Sequence, residues 1–385
     1  MRYRDDLIFP MSEFERRLGE LRQRMGQRGV DALITTTPEN ICYLTGFESP
    51  GHYYFQALIV PLEGEPVMVP RRLEDSGVQA LTWIEQSRPY EDFEDPMERL
   101  KATLEEFDLH TKLIGYEKNC WFFTAAQQEK LFNLLPATRF VDCSGLVEAG
   151  RVIKSEYEIE LMKRAARTAE AGMRAGIEAI RPGITENDIA AEIHYAMIKA
   201  GSEWPAIAPF VASGERGAIG HATWAGRKIR PVDTIMLEVG GCLKRYHAAL
   251  MRSVFIGDIA ADLWKGEEVV REAMEATMAG IKPGVSAHEV DTVSRRIIGD
   301  SIFGGTQASR SAYSIGIGFP PDWGEGQILS IQPNETRQLQ RNMTFHLIPW
   351  VQVPGKGGIS FSETIRVTEN GCETITNFER KLFTK

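Results

Sequence analysis

The chain has 385 residues, of which 43% are hydrophobic and 25% charged, and its formal net charge is −9 with a pI near 5.5. At about 150 residues per domain, this ordinary globular composition predicts two or three domains with sizeable cores. Lys and Arg are scattered along an acidic chain, so neither nucleic acid nor an anionic membrane surface is expected as a partner.

Cysteine usage and the N-terminus indicate a cytoplasmic protein. The five cysteines are widely spaced and form no Cys-x-x-Cys pair, which predicts reduced thiols rather than disulfides or a zinc cluster. The first 17 residues are charged and lack the apolar stretch of a signal peptide. No apolar run approaches the ~20 residues that span a bilayer.

Helical and strand-like segments alternate through residues 1–150. Residues 12–30 have helical periodicity, and Ser12 and Glu15 have the spacing of a capping box. Strand-like runs follow at 31–38, 56–61, 66–70 and 113–116, and helical stretches lie at 93–107 and 123–134. This alternation predicts an α/β N-terminal domain with a mixed or parallel sheet.

Residues 151–385 are predicted to form a second domain. It opens with a long amphipathic helix over 152–180, whose buried stripe is Ile159, Met162, Ala166, Ala169 and Met173. Helices then mix with longer strands of antiparallel character at 233–240, 246–256, 343–353 and 359–368.

This second region contains an internal echo, because residues 180–190 (IRPGITENDIA) resemble residues 281–291 (IKPGVSAHEVD). Each segment has a Pro-Gly turn followed by a capping-box pattern, Thr185 with Asp188 and Ser286 with Glu289. Two interpretations stay open. The segments are either unrelated turns that look alike or parts of two related halves that face each other across a ligand-binding cleft.

Six segments and the two Pro-Gly segments resemble the M24 peptidase superfamily, which contains methionine and Xaa-Pro aminopeptidases, prolidase and creatinase. The six lie in the expected order at 39–47, 153–173, 233–258, 314–326, 342–349 and 361–371. The resemblance implies a creatinase/prolidase-like N-terminal domain followed by a pita-bread catalytic domain, with a homodimer as the assembly. It does not fix the reaction, since one fold supports several activities.

Metallopeptidases of this superfamily hold two metal ions with two Asp, one His and two Glu. Four of the five matching positions carry no usable ligand; the residues there are Glu238, Ala249, Ile315, Ile348 and Ser362. A shifted alignment would recruit Glu363, His346 or Asp322 and still leave the cluster incomplete. We therefore expect no catalytic metal and no other cofactor.

Within the superfamily, the chain is most similar to the ectoine hydrolase branch. The similarity rests on Tyr246-His247 followed by Arg252-Ser253-Val254, on the segment 318–325, and on Phe345-His346 before Pro349-Trp350. It implies hydrolysis of a C–N bond in a small cyclic amidine, with ectoine first and creatine-like guanidino compounds second.

Hydrolysis without a metal requires a base for water, stabilisation of developing charge, and a proton for the leaving nitrogen. The predicted catalytic residues are His221, His247 and Glu363. His221 lies in a Gly-rich turn where the superfamily places a histidine at the substrate pocket. Strand alternation points Tyr246 and His247 to opposite faces, and we favour His247 for the cleft. Glu363 has polar neighbours.

The predicted substrate-binding residues combine carboxylates for a cationic amidinium with aromatic side chains for stacking. They are Glu238, Tyr246, Tyr313, Asp322, Trp323, Glu325, His346 and, from the N-terminal domain, Tyr54. The alternatives are structural: a salt-bridged Glu238, a core histidine at 346, and a packed surface turn at 320–326.

Two other functions remain open at this point. One is a metal-dependent Xaa-Pro dipeptidase or aminopeptidase, and the other is a non-catalytic binding module that keeps only the fold. The sequence has no G-x-S-x-G motif and no phosphate-binding P-loop, which argues against a serine hydrolase and a nucleotide site.

Overall fold

The computed structural model describes residues 2–304 and 309–385. The chain divides into two compact units, Met1–Arg151 and Val152–Lys385. Each unit combines helices with a β-sheet, which confirms the predicted α/β class. No helix of the described ranges has both the length and the apolar composition needed to cross a membrane.

The first unit is built on a mixed sheet. Its strands are β1 (Ala32–Thr35), β2 (Ala57–Pro61), β3 (Val67–Val69), β4 (Gln86–Ser87), β5 (Leu113–Tyr116) and β6 (Arg139–Asp142). Their spatial order is β4-β3-β2-β1-β5-β6. β1 pairs antiparallel with β2 and parallel with β5, so the predicted mixed sheet is observed.

Helices flank this sheet and bury their apolar faces. They are α1 (Met11–Arg28), α2 (Pro38–Thr45), α3 (Asp75–Leu81), α4 (Pro96–Glu106), α5 (Ala125–Leu134) and α6 (Glu148–Arg151). α1 begins at Met11, after Pro10, and no side chain caps its first turn. The predicted capping box of Ser12 and Glu15 is wrong, because Ser12 lies inside the helix and not at the position before it.

The second unit contains four long helices within its described residues: α7 (Glu156–Ala179), α8 (Glu186–Lys199), α9 (Ala261–Gly280) and α10 (Ala287–Gly299). The predicted stripe of α7 is buried, as expected for a helix that packs on a sheet. The capping boxes of Thr185 with Asp188 and of Ser286 with Glu289 both form. The two Pro-Gly segments therefore end in helices capped the same way.

The sheet of the second unit carries the site described below. Its strands and those paired beside it are β7 (Phe210–Ser213), β8 (Thr234–Leu243), β9 (Tyr246–Phe255), β10 (Ala312–Phe319), β11 (Asp322–Gly324), β12 (Ser330–Ile331), β13 (Thr344–Leu347), β14 (Trp350–Val353), β15 (Gly357–Ser360), β16 (Glu363–Val367), β17 (Cys372–Thr374) and β18 (Phe383–Thr384). The main order is β17-β16-β13-β10-β9-β8-β7, while β14 and β15 form a separate ribbon.

Two predicted strands are each divided in the structure. The segment 343–353 breaks between β13 and β14 at Ile348 and Pro349, since proline cannot donate to a strand ladder. The segment 359–368 breaks at Phe361 and Ser362, between β15 in the ribbon and β16 in the main sheet. These breaks let the chain leave the main sheet for the ribbon and return to it.

Candidate active site

Polar side chains of the candidate site lie on one face of the second unit's sheet. Glu238 and Gly240 of β8 lie on it by strand alternation, and Ala249 of β9 pairs directly with Gly240. Tyr313 of β10 pairs with His346 of β13, so these two side chains share a face. The sheet ladder therefore fixes the positions of these groups before any side-chain contact is considered.

Gly240 and Gly241 of β8 each allow a close contact, on opposite faces of the strand. A Cβ at Gly240 would lie 2.5 Å from the ring of Trp323, so only glycine admits the indole against β8. A Cβ at Gly241 would collide with the backbone of α7 at Ala165. The Gly-Gly pair thus seats Trp323 on one face of the strand and the helix on the other.

Four buried side chains form a continuous hydrogen-bond chain. The indole Nε1 of Trp323 donates to the hydroxyl of Tyr313 at 2.8 Å, and that hydroxyl lies 2.7 Å from Nδ1 of His346. Nε2 of His346 lies 2.6 Å from the hydroxyl of Ser362. The chain holds both the histidine ring and the tyrosine hydroxyl in fixed positions.

Glu238 stands beside this chain without a hydrogen-bond partner among the described residues. Its Oε1 lies 4.0 Å from Nδ1 of His346, beyond hydrogen-bond reach, and its side chain is 10% exposed. Burial, and after it the charge of Asp322, raises the pKa of Glu238 to about 8. The carboxyl is therefore largely neutral near pH 7 and ready to ionise for a cation.

His346 is neutral in this setting. Burial, and after it the charges of Arg310 and Arg252, lowers its pKa to about 3. An imidazolium is therefore absent at ordinary pH, and one ring nitrogen carries a proton while the other accepts. The position of His346 is compatible with both predictions. The ring is buried and fully hydrogen-bonded, as in a core histidine, and it lies next to Glu238.

Aromatic rings stand on the same side as Glu238. Phe210 of β7 pairs in register with Glu238, and its ring lies 5.8 Å from that of Trp323 in an edge-to-face arrangement. The exposed ring of His221 stacks on Phe210 at 5.5 Å with an interplanar angle of 17°. His221 also has a positive φ of 62°, which sets it on a turn of the chain. The structure thus brings His221 to the solvent side of this aromatic group.

Asp322 and Glu325 belong to the same loop but differ in environment. Asp322 is exposed, and its carboxylate accepts a hydrogen bond from the backbone N–H of Gly324. Its negative charge helps to raise the pKa of Glu238. Glu325 is buried and pairs with Nζ of Lys154 at 2.5 Å, with the two side chains each 1% exposed. Asp322 lies near Glu238, whereas the carboxylate of Glu325 is already neutralised by an ion pair.

The Tyr246–His247 pair follows the predicted alternation. The hydroxyl of Tyr246 donates to Glu158 of α7 at 2.9 Å, on the face away from Glu238. His247 lies on the Glu238 face, but its Nε2 accepts from the backbone of Ala206 at 3.0 Å and its Nδ1 bonds the carbonyl of Arg245 at 2.8 Å. Both nitrogens of His247 are therefore engaged with backbone groups, and neither is free to take a proton from water.

Glu363 lies on the opposite face from His346 and Ser362. Its carboxylate pairs with Nη2 of Arg252 at 2.5 Å and also accepts from Thr376. Strand period explains this placement, since adjacent residues of a strand point to opposite faces. The structure therefore does not bring Glu363 to Glu238, and it gives the carboxylate a buried ion pair.

Tyr54 belongs to the first unit. Its side chain is 40% exposed, and the guanidinium of Arg71 lies 4.1 Å from its ring centroid. Tyr53 stands beside it, with ring centroids 4.7 Å apart. A substrate-binding role for Tyr54 stays a prediction.

Family models match both units. The model described as metallopeptidase family M24 matches residues 160–369, more than half of the chain, and the creatinase/prolidase N-terminal domain matches residues 17–153. The chain belongs to metallopeptidase family M24. The superfamily resemblance drawn from sequence motifs is confirmed, and membership supports hydrolase activity.

Curated relatives extend over nearly the whole chain. Ectoine hydrolase of Halomonas elongata is 33% identical over 400 residues, which cover 98% of this chain and 99% of the relative. An uncharacterized hydrolase/peptidase of Sinorhizobium fredii is 32% identical and covers 97% of each chain. These relatives support the M24 hydrolase assignment without fixing the substrate.

Solved aminopeptidase and prolidase structures share the fold. The X-Pro aminopeptidase of Thermotoga maritima has a TM-score of 0.84 at 25% identity, with 96% of this chain and 99% of that chain covered. Recombinant prolidase from Thermococcus sibiricus has a TM-score of 0.86 at 24% identity, covering 97% and 99%. The predicted creatinase-type N-terminal domain and pita-bread C-terminal domain are confirmed.

The M24 metal positions do not fit a dinuclear centre in this chain. They converge on the Glu238 face and carry Glu238, Ala249, Ile315, Ile348 and Ser362. Alanine and isoleucine offer no ligand atoms. Across residues 2–304 and 309–385, no group of three or more His, Cys, Asp or Glu side chains is arranged to hold a metal ion.

Two residues that lie in the candidate site, Ser362 and Phe210, are absent from the set predicted from the sequence. Ser362 occupies the last ligand position, whereas the sequence favours Glu363 because of its polar neighbours, of which Ser362 is one. Counting strand alternation from His346 across the β13–β16 ladder would have placed Ser362 on the site face. Phe210 precedes the Gly-rich turn of His221, and its pairing with Glu238 has no local sequence signal.

Proposed function

We propose that this chain is a metal-independent M24 hydrolase that opens a C–N bond in a small cyclic amidine, with ectoine as the leading substrate. The observation that carries the proposal is Glu238. It is a buried carboxyl without a hydrogen-bond partner among the described residues, and it stands where relatives are expected to hold metal. Similarity to an ectoine hydrolase over nearly the whole chain supports this substrate class.

The carboxyl group of Glu238 is suited to bind an amidinium cation. A cation next to the carboxyl favours its ionised form and forms a charge-assisted pair in a poorly solvated setting. The rings of Phe210 and Trp323 flank Glu238 and offer faces or edges to a planar cation. A neutral ligand of the same shape lacks this ionic interaction and is expected to bind more weakly.

Glu238 also carries both proton transfers in the proposed reaction. Water adds its oxygen to the amidinium carbon and gives a proton to the Glu238 carboxylate. The protonated Glu238 then gives that proton to the leaving nitrogen, and the C–N electron pair leaves with the nitrogen. The hydroxyl proton of the collapsing adduct leaves with the amine, so the products are an amide and an ammonium group.

The predicted catalytic histidines and Glu363 take different parts in this proposal. His221, exposed on Phe210, stands at the solvent side and is proposed to contact the substrate. His247 and Glu363 are proposed to hold backbone and strands in place, because their polar atoms are engaged. A homodimer is also proposed from the creatinase and prolidase resemblance, and light scattering after size exclusion tests it.

A substrate panel tests the function. Purified protein is incubated with ectoine, creatine and a proline dipeptide, with and without a chelator, and products are followed by mass. We expect ring opening of ectoine that the chelator leaves unchanged. Cleavage of the dipeptide alone, abolished by the chelator, overturns the proposal in favour of a metal-dependent dipeptidase.

A matched pair of variants distinguishes an enzyme from a binding module. Glu238→Gln removes the proposed base, whereas Glu215→Gln changes an exposed carboxylate in the turn before His221. We expect the first to abolish turnover and the second to leave it unchanged. Absence of turnover in the wild type against the whole panel, with ligand binding retained, identifies a non-catalytic module.

A further inference from the structure

The direction of the hydrogen bonds around His346 has a consequence for Tyr313. His346 is neutral, so only one of its two ring nitrogens carries a proton. Either Nδ1–H donates to Tyr313 while Nε2 accepts from Ser362, or the reverse holds. The two arrangements make Tyr313 a different kind of group in the site, and the surrounding residues distinguish them.

Ser362 favours the first arrangement. Its side chain is fully buried, and His346 is the hydrogen-bond partner of its hydroxyl within the described ranges. If Nε2–H donated to Ser362, the serine proton would be left without an acceptor there, and a buried unsatisfied donor is costly. If Ser362 donates to Nε2, the unpaired proton is that of Tyr313 instead, whose side chain is 8% exposed and borders the site, whereas Ser362 is 0% exposed. A proton at Tyr313 can reach water or a ligand, so this arrangement costs less.

The Glu238 carboxyl favours the same arrangement. Its Oε1 lies 4.0 Å from Nδ1 of His346. Even as a neutral carboxyl, Glu238 presents an oxygen with a partial negative charge near Nδ1, so it favours a proton on Nδ1, and ionisation on ligand binding strengthens this preference. The field of the site and the packing of Ser362 therefore act together.

Tyr313 then accepts two hydrogen bonds and has one to give. Its oxygen receives Nε1–H of Trp323 at 2.8 Å and Nδ1–H of His346 at 2.7 Å. With both acceptor positions occupied, the hydroxyl proton points to a third partner. We infer that Ser362 acts through His346 as a positioning residue that fixes Tyr313 as a hydrogen-bond donor to the bound substrate.

This inference rests on the proposed function for its ligand and deepens it. Glu238 binds a cation, while Tyr313 presents a donor, so the site fits a ligand that carries an acceptor atom close to its amidinium. During hydrolysis, the oxygen that water adds is such an acceptor, and a donor fixed in advance stabilises the charge that develops there. Tyr313 would thus contact the adduct, and Ser362 would not.

The tautomer of His346 is the direct test, and it requires no substrate. Nitrogen-15 NMR of the wild type distinguishes a protonated Nδ1 from a protonated Nε2, and the signal is assigned by its loss in His346→Gln. We expect the proton on Nδ1. A proton on Nε2 overturns the inference whether or not the protein hydrolyses amidines, so the two failures are distinguishable.

A double-mutant cycle tests the functional consequence. Ser362→Ala should lower kcat about tenfold with little change in KM, and Ser362→Thr should restore most of it by returning the hydroxyl. In a Tyr313→Phe background, Ser362→Ala should have no further effect on kcat. An equal loss in both backgrounds contradicts action through Tyr313.

Ser360→Ala serves as the matched control for packing. Ser360 is equally buried, and its hydroxyl donates to the carbonyl of Pro349 at 2.8 Å, without contact to His346. We expect its kcat to stay at the wild-type value. If Ser360→Ala lowers kcat as much as Ser362→Ala does, the effect is a general response to a lost buried hydroxyl and the inference fails.

Discussion

Two buried carboxyl groups in the second unit, Glu238 and Glu363, have opposite environments. Glu363 is enclosed by Arg252 and Thr376, whereas no described residue donates a hydrogen bond to Glu238. A buried carboxylate whose ionic and hydrogen-bond partners are present, as at Glu363, links the parts of the fold that carry those partners. A buried carboxyl without them keeps its proton, with a pKa near 8, and gains an ionic partner only when a ligand arrives. The comparison distinguishes a carboxylate paired within the fold from the carboxyl that is proposed to act in hydrolysis.

The largest expected effect distinguishes the two acids by activity. Glu238→Gln should lower kcat/KM for ectoine by ~10³-fold or more, because it removes the proposed base and the negative charge while keeping the shape. Steady-state kinetics measures the loss, and circular dichroism checks that the fold is kept. Activity within tenfold of wild type would remove Glu238 from the chemistry.

The next effect concerns stability at the other acid. Glu363→Gln leaves the guanidinium of Arg252 buried without its carboxylate, which should cost ~3–5 kcal/mol of unfolding free energy. Urea denaturation measures this change. A stable Glu363→Gln variant that loses only turnover would reverse the assignments of the two acids and restore the sequence-based prediction for Glu363.

The pH dependence of stability sharpens the contrast further. Between the ordinary value of 4.5 and the folded value of about 8, the folded protein holds a Glu238 proton that the unfolded chain has released. The contribution of Glu238 to stability therefore falls as pH rises through this window. Glu238→Gln should be more stable than wild type at pH 8 by ~1–3 kcal/mol, with little difference near pH 4. Denaturation at both pH values checks this, and a variant less stable at pH 8 would contradict an unpaired carboxyl.

The smallest expected effect concerns the rings beside each acid. Trp323→Phe removes a donor to Tyr313 and part of the aromatic wall, so KM for ectoine should rise by ~3–10-fold. Phe378→Leu alters the ring 5.6 Å from the guanidinium of Arg252 and should change stability only. Kinetics on both variants tests this. Equal changes in KM would show that the rings do not report on separate sites.

Much of this architecture follows from local sequence patterns. The α7 stripe and the capping boxes at Thr185 and Ser286 were predicted because helical periodicity and cap chemistry are properties of a few neighbouring residues. The predicted ends of the strands were less accurate than these helix predictions. Pro349 divides one predicted strand, as its missing N–H should have indicated.

The site was predicted only in part, because its contacts join distant strands. Glu238, Tyr313, Trp323 and His346 were selected and do lie together. Ser362 was passed over for Glu363, although strand alternation puts only one of them beside His346. Nε2 of His247 accepts from the backbone of Ala206, some forty residues away, and no sequence pattern reports that contact.

Proton release on cation binding tests the central claim most directly, namely that Glu238 is a neutral buried carboxyl that ionises for its ligand. Acetamidinium is titrated into the protein at pH 6.5 by calorimetry, in buffers of different ionisation enthalpy. The account predicts release of about one proton per cation bound, and none with Glu238→Gln. Binding whose enthalpy does not depend on the buffer would contradict it.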